Sequence, residues 1–269
     1  MILEIAKPSQ ILQPYIKHYW YIENALDDGE TYKQRIIPCG LPELTLYLGK
    51  RPKILGDMAD FEDDFLLSGQ RNRFYDLQID QSLTVFSIVF QPQGLMAFFK
   101  LPINQLDNKS VSLREIDRNL EYELKMRIID APLFNTKIRI IESYLIDLLK
   151  EEHNRFDFRR MNQVVNAIKM TQGKIAIDDL ANISCLSRKQ FERKFVHLIG
   201  TTPKQYLKTI RMQLAIYLKS CNKDYNINDL VFDCGYYDQA HFTNDFKKLT
   251  GLTPLSYFEN NASYSDFFE

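Results

Sequence analysis

The feature that most constrains this chain is a repeat lying within residues 160–258. Asp179-Leu180, Phe191, Phe195, Leu198, Gly200, Thr202-Pro203 and Tyr206 recur about 51 positions later as Asp229-Leu230, Phe242, Phe246, Leu249, Gly251, Thr253-Pro254 and Tyr257. Ser187 gives way to Asp238, one helix-capping residue for another. Two copies are too few for a solenoid, which needs about three or more repeats for stability, so the pattern reads as a duplicated supersecondary unit.

Each copy has the same three parts. A short helix opens with acidic residues in its first turn, Asp178-Asp179 or Asp229, where negative charge favours the helix dipole. A tight turn follows, Ser184-Cys-Leu186 or Gly235-Tyr-Tyr237, with Gly235 supplying backbone freedom. A second helix starts at Ser187 or Asp238; Ser187-x-x-Gln190 is a capping-box pattern. Gly200-Thr-Thr-Pro203 or Gly251-Leu-Thr-Pro254 then stops that helix with glycine and starts another with a threonine cap and proline at its first position.

Helix, tight turn, helix is the arrangement that places a second helix in the DNA major groove. Such a helix buries one face and offers the other. In copy one Phe191, Phe195 and Leu198 are spaced for burial, leaving Arg188, Lys189, Glu192, Arg193 and His197 outward. In copy two Phe242, Phe246 and Leu249 take the buried role, leaving Gln239, Ala240, Thr243, Asn244 and Lys247 outward. These side chains match the edges of bases: Arg and Lys for guanine, Gln and Asn for adenine, Glu for cytosine, and Ala or Thr methyls for thymine. A solvated face explains one charged helix, but not an apolar frame kept twice under different outward residues. Between the copies, Lys204 to about Ser220 reads as one helix of about 25 Å, long enough to set two recognition helices near one DNA turn apart.

Charge is distributed to match. The net charge of −1 conceals −4 over residues 1–159 (20 basic, 24 acidic), +6 over 160–258 (14 and 8), and −3 in an acidic tail, 259–269. A basic domain joined to a mildly acidic one suits contact of only one of them with a polyanion. At 269 residues the chain is long enough for two domains. It has neither the roughly 18 consecutive apolar residues of a membrane span nor a secretory leader pattern at its start, which places it in the cytoplasm with no membrane partner. Cys39, Cys185, Cys221 and Cys234 are far apart and form no C-x-x-C pair, so they read as small buried thiols rather than a disulfide or zinc framework.

Residues 1–110 read as a strand-rich domain. Glu43, Thr45 and Tyr47 alternate with Leu44, Leu46 and Leu48, and Ser82 to Phe90 is apolar on both faces, as in a strand covered on both sides. Turns at Pro38-Cys-Gly-Leu-Pro42, Lys50-Arg-Pro52, Ser68-Gly69 and Gln91-Pro-Gln-Gly94 space these strands as in a small barrel or sandwich. His18, His153, His197 and His241 do not cluster in a metal-binding pattern, so no metal and no other cofactor is indicated. Trp20, Glu43, Tyr47 and Arg71 are the candidates for holding a polar organic ligand, with a surface or rim position as the alternative. Residues 111–159 read as a helical connector. Phe134, Ile138, Ile141, Leu145 and Leu148 draw an apolar stripe that either packs on the strand domain or forms a seam with a second subunit. The charged stretch 150–160 loses the stripe and is the expected linker.

Residues 160–258 resemble the paired helix-turn-helix domain of AraC/XylS-type transcription regulators, through Asp233-Cys-Gly-Tyr-Tyr-Asp-Gln-Ala-His-Phe-Thr-Asn-Asp-Phe-Lys-Lys-Leu-Thr-Gly-Leu-Thr-Pro254. The resemblance implies that Lys189, Glu192 and Arg193 face bases in the first recognition helix and that Gln239, His241, Thr243 and Asn244 lie near DNA in the second. Asn244 stands where many members carry Arg. More loosely, Pro38-Cys-Gly-Leu-Pro-Glu-Leu, Ser68-Gly-Gln70 and Phe90-Gln-Pro-Gln-Gly94 are similar to an uncharacterised cupin-like amino-terminal module of such regulators.

The expectation is an α+β chain. It has a barrel-like domain (1–110), a connector (111–159), an all-α double helix-turn-helix domain (160–258) and the tail. Its partners would be double-stranded DNA, RNA polymerase, a small-molecule effector and a second copy in a homodimer, and it would be a regulator, not an enzyme. The alternative is a cupin-like enzyme or a ligand-free interaction module fused to a DNA-binding domain; no nucleophile–base pair, metal set or phosphate loop marks an enzyme. Activation and repression are not distinguished by any residue.

Overall fold

The computed structural model describes residues 1–26, 30–56, 63–80, 82–150 and 155–260; the tail beyond 260 and residues 151–154 of the expected linker lie outside them. Nine strands among these residues form two antiparallel sheets. They are β1 (Ile2–Ala6), β2 (Ile16–Asn24), β3 (Tyr32–Ile36), β4 (Glu43–Tyr47), β5 (Lys53–Leu55), β6 (Phe65–Ser68), β7 (Tyr75–Ile79), β8 (Leu83–Phe90) and β9 (Ser110–Ser112). The larger sheet runs β1-β2-β8-β4-β6-β9 and the smaller β3-β7-β5. Among the described residues no ladder joins them, so the expected barrel-like domain is two open sheets rather than a closed barrel.

Alternation along β4 sorts the two faces of the larger sheet. Leu44 and Leu46 lie opposite Ile88 and Phe86 of β8, and all four are fully buried. This face packs on helices: Phe134 sits 6.0 Å from Phe86 and 6.2 Å from Tyr21, ring centroid to centroid. The other face carries Glu43, Thr45 and Tyr47 toward the smaller sheet. Strand β8 is therefore covered on both sides, as its two apolar faces require.

The chain then turns helical through α1 (Leu113–Ile116), α2 (Arg118–Ile128), α3 (Phe134–Lys150) and α4 (Arg155–Met170). The α3 stripe is spent inside the chain. Phe134, Ile138, Ile141 and Leu145 are buried in the same core as the sheet, and Leu148 packs against it, so the stripe is not a subunit seam. Helix α4 takes up part of the stretch expected to be linker.

Six further helices follow: α5 (Ile177–Ile183), α6 (Arg188–Ile199), α7 (Pro203–Cys221), α8 (Ile227–Asp233), α9 (Gln239–Thr250) and α10 (Pro254–Asn260). Helices α5 and α8 are 50 positions apart and α6 and α9 are 51 apart, so the second turn is one residue longer than the first. Both turns contain a left-handed residue, Cys185 at φ 53° and Gly235 at φ 74°. The glycine reading of copy two holds, and copy one places a cysteine in the same conformation. Cys185 is therefore exposed in a turn, and Cys221, the last residue of α7, is exposed too; of the four thiols expected to be buried, Cys234 is and Cys39 is half-buried.

Helix α7, 19 residues and about 28 Å long, divides two cores. Tyr206, Leu207 and Ile210 belong to a core that runs from the strand domain through α3 and α4 to Phe191, Phe195 and Leu198 of α6. Met212, Leu214, Ala215 and Ile216 belong to a second core with Phe242, Phe246, Leu249 and Tyr257. Burial of each such Phe or Leu stabilises the fold by about 1.5–3 kcal/mol.

Candidate nucleic-acid interface and ligand cavity

Both recognition helices are capped as their sequences dictate. Ser187 Oγ accepts from the Gln190 backbone N–H at 3.4 Å while Gln190 Oε1 accepts from that of Ser187 at 3.2 Å, closing the capping box of α6. Asp238 Oδ1 accepts from the His241 N–H at 2.7 Å at the start of α9. Gly200 (φ 99°) and Gly251 (φ 80°) end the two helices in the left-handed conformation. Thr202 caps α7, with Pro203 at its first position.

The outward sets are exposed as the spacing predicts, with particular exceptions. Lys189, Arg193 and His197 are exposed on α6, and Gln239, Ala240, His241, Asn244 and Lys247 on α9; Glu192 and Thr243 are half-buried. Arg188 is exposed but engaged within the chain. Its Nε donates to Glu192 Oε1 at 3.1 Å and its Nη1 reaches the Asp178 carboxylate at 3.1 Å. Arg188 and Glu192 thus form one unit at the head of α6. An open groove of about 710 Å³ runs along this face and is bordered by Asn104 of the strand domain and Lys204 of α7.

Copy two is braced differently. The Asp245 carboxylate, buried on the inner side of α9, accepts from Lys208 Nζ of α7 at 2.6 Å, and His241 Nε2 lies 3.4 Å from its other oxygen. The His241 ring meets Tyr236 edge to face at 5.2 Å, and Arg211 of α7 stacks on Tyr236 at 4.5 Å. His241 therefore borders the outward face of α9 and helix packing at once, which helical spacing alone did not distinguish.

The strand domain touches both recognition helices at their terminal glycines. A Cβ at Gly200 would lie 3.1 Å from Ile103 Cγ2, and one at Gly251 only 2.6 Å from the Phe74 ring. Arg35 Nη1 donates to the Thr250 carbonyl at 3.3 Å, and Gln213 Nε2 of α7 donates to the Pro38 carbonyl at 2.8 Å. No periodicity in the sequence points to these contacts.

The strands enclose a second candidate site, a cavity of about 70 Å³ between the two sheets. Glu43, Tyr47 and Arg71 line it, with Tyr75, Ser68 and Ser110. Trp20 supports it from β2: its Nε1 donates to Glu43 Oε1 at 2.9 Å, and Ser87 Oγ donates to the same oxygen. Arg71 Nη2 donates to Ser110 Oγ at 2.6 Å, and its guanidinium stacks 4.3 Å from the Tyr75 ring. Burial raises the Tyr47 and Tyr75 hydroxyls above the usual tyrosine range, so both are neutral.

Comparison with known proteins agrees with this architecture. Residues 4–112 match a family described as a domain of unknown function, and residues 180–260 match a helix-turn-helix domain family. An uncharacterized HTH-type transcriptional regulator of Bacillus subtilis, YdeC, is 25% identical over 161 residues, covering 60% of this chain and 51% of YdeC. The HTH-type transcriptional activator RhaR of Shigella dysenteriae is 23% identical over 157 residues, covering 55% of this chain and 54% of RhaR. The chain thus spans about half the length of these relatives. ToxT from Vibrio cholerae O395, a crystal structure, matches in fold with a TM-score of 0.50 at 13% identity, covering 90% of this chain and 98% of ToxT. With the doubled, capped helix-turn-helix geometry, these matches make the chain an AraC-type helix-turn-helix protein that carries a domain of unknown function ahead of its DNA-binding domain.

Proposed function

We propose that the protein regulates transcription by binding a specific double-stranded DNA site through α6 and α9, and that its strand-rich domain senses a small molecule. The observation that carries this reading is the pair of buried phenylalanine frames, Phe191-Phe195 and Phe242-Phe246, under outward faces of different chemistry. Lys189, Arg193 and His197 on α6 suit guanine and phosphate oxygens; Gln239 and Asn244 on α9 suit adenine; Lys247 suits phosphate. The Arg188–Glu192 pair holds Glu192 as a fixed acceptor for cytosine. Action in the cytoplasm, contact with RNA polymerase and homodimer formation belong to the same proposal, and the name of RhaR supports the role of an activator.

Selection of bound sequences from random DNA tests it. The expected product is a site with two short motifs about one helical turn, roughly 10 bp, apart. Arg193→Ala should relax preference at one step by about 1–3 kcal/mol. Recovery of no motif, or an unchanged preference in Arg193→Ala, would remove the reading or the assignment respectively.

A further inference from the structure

The strand domain brings one of its residues to the edge of the groove along the first recognition helix. Between β8 and β9 the chain makes a single turn of 3-10 helix, Ile103–Leu106. Ile103 and Leu106, 1% and 2% exposed, anchor this turn. On one side the Asn108 N–H donates to the Gln70 carbonyl at 2.8 Å and the Gly69 N–H to that of Lys109 at 3.2 Å, which ties the segment to the turn after β6. On the other, Ile103 lies so close to Gly200 that a Cβ there would stand 3.2 Å from the Ile103 carbonyl oxygen. Asn104, between the two anchors, is exposed and borders the groove of about 710 Å³ that runs along the outward residues of α6.

The groove suits a polyanion. Arg188, Lys189, Arg193 and Lys204 line it with His197, against one carboxylate, Glu192, which Arg188 already engages. A DNA major groove is about 12 Å wide, and a helix with its side chains fills about 10–12 Å of it. Elements that flank α6 therefore meet the sugar–phosphate strands bounding the groove. Those elements are the start of α5 at Ile177, the head of α7 from Thr202 to Lys204, and the strand domain at Asn104. Amide side chains are common donors to phosphate oxygens. Asp107, the one acidic residue of 100–109, is half-buried, so the exposed side of the segment presents no carboxylate. A side chain carried on a fixed turn also loses less freedom on binding than one on a loose loop. We propose that the DNA interface spans both domains, with Asn104 donating its amide N–H to a phosphate oxygen of the strand that borders α6. The proposal rests on α6 reading DNA, and adds to that site a contact from the domain read as the sensor.

Fluorescence anisotropy with the full chain tests it, on a labelled duplex of roughly 30 bp, about three helical turns, that carries the site recovered by selection. Asn104→Ala should weaken binding by about two- to tenfold, the loss of one hydrogen bond. Asn104→Asp, which turns a carboxylate toward the phosphate, should weaken it further. Asn104→Arg should tighten it and steepen the fall of log K with log salt by about 0.9. None of the three should change the order of preferred bases, because a phosphate carries no sequence information. Asn119 on α2 is the control for charge alone: it is exposed and lines no part of the groove. Asn119→Asp and Asn119→Arg change the net charge equally and, through screening by salt, should leave binding within about twofold. Unchanged circular dichroism and urea midpoints show that the variants are folded.

Asn104 variants that bind like their Asn119 counterparts overturn the proposal. Tighter binding by Asn104→Ala overturns it too, since the short helix would then obstruct DNA instead of holding it. The two readings fail differently. A wild-type chain that binds its site no better than the Asn104 variants do keeps the regulator and loses the contact from the strand domain; one that yields no motif and binds no duplex loses both.

Discussion

Gly251→Ala should destabilise the protein by about 2–5 kcal/mol, and the structure divides that figure into two parts. The first is backbone strain. At φ 80° an L side chain crowds its own carbonyl, which costs about 1–2 kcal/mol. The second is steric: the new Cβ would lie 2.6 Å from two Phe74 ring carbons and 2.8 Å from Arg35 Nη1, about 1 Å inside normal contact. Phe74 does not yield easily, because Arg35 stacks on it at 4.2 Å and is itself held by Asp76 through bonds of 2.7 and 2.9 Å. Overpacking of that kind costs about 1–3 kcal/mol. Gly56→Ala isolates the first part, since Gly56 has φ 99° and a Cβ there meets no described atom within 4 Å. Urea denaturation of both variants, followed by circular dichroism, gives the difference directly. Destabilisations equal to within about 0.5 kcal/mol would show that the end of α9 does not rest on the strand domain, and the docking described here would be wrong.

Three other outcomes are expected. Lys208→Ala strands the Asp245 carboxylate in a site where it is 9% exposed, and should destabilise by about 2–4 kcal/mol; replacing both partners by Met and Leu should be milder, and a double variant worse than the single one refutes the ion-pair assignment. Lys247→Ala should weaken binding to all DNA sequences alike and lower the slope of log K against log salt by about 1, which titration at several salt concentrations measures. His18 is held down to about 4 by burial and then by neighbouring Lys17. Its imidazole therefore stays neutral in the fold, while the unfolded chain takes up a proton below about pH 6.5; stability is complete above that pH and is lost as pH falls toward 4. Solvent screening at this half-exposed position limits the loss between pH 7 and 5 to about 1 kcal/mol. His18→Gln should flatten the urea midpoint over that range, and an unchanged pH dependence would discard the assignment.

What the sequence made legible follows from which forces are local. The recognition helices were readable because caps, glycine stops and the Phe-x-x-x-Phe spacing act within one turn or one helix: Ser187, Gly200 and Phe191 perform their expected roles. The alternation in β4 correctly separated Glu43, Thr45 and Tyr47 from the buried leucines, yet nothing in it fixed whether the sheet would close, since closure depends on pairing between distant strands. The fate of the α3 stripe was undecidable for the same reason, as Phe134 packs as readily on Phe86 as on a second subunit. Arg188 has the exposure expected for DNA contact, while its bond to Asp178, ten residues earlier, lies outside what helical spacing can show. Trp20 reaches the cavity only through Glu43, a partner 23 residues away.

The glycines that end the two recognition helices also seat the strand domain, and this double use bears on regulation. Arg35, which reaches Thr250, is followed at once by Ile36 to Gly40, the segment that walls the cavity and accepts Gln213 at Pro38. Cavity and recognition helix are thus joined by a few residues of extended chain instead of a long relay. Short wiring does not by itself make a switch: a ligand shifts the position of α9 only by the difference in its affinity for two arrangements of that segment. Strand residues of both sheets, Glu43 and Tyr47 of β4 and Tyr75 and Leu77 of β7, wall the cavity beside that segment, so an occupant that suited one spacing of the sheets better than another would supply such a difference. Any such coupling would run through the Pro38 and Arg35 contacts to α7 and α9.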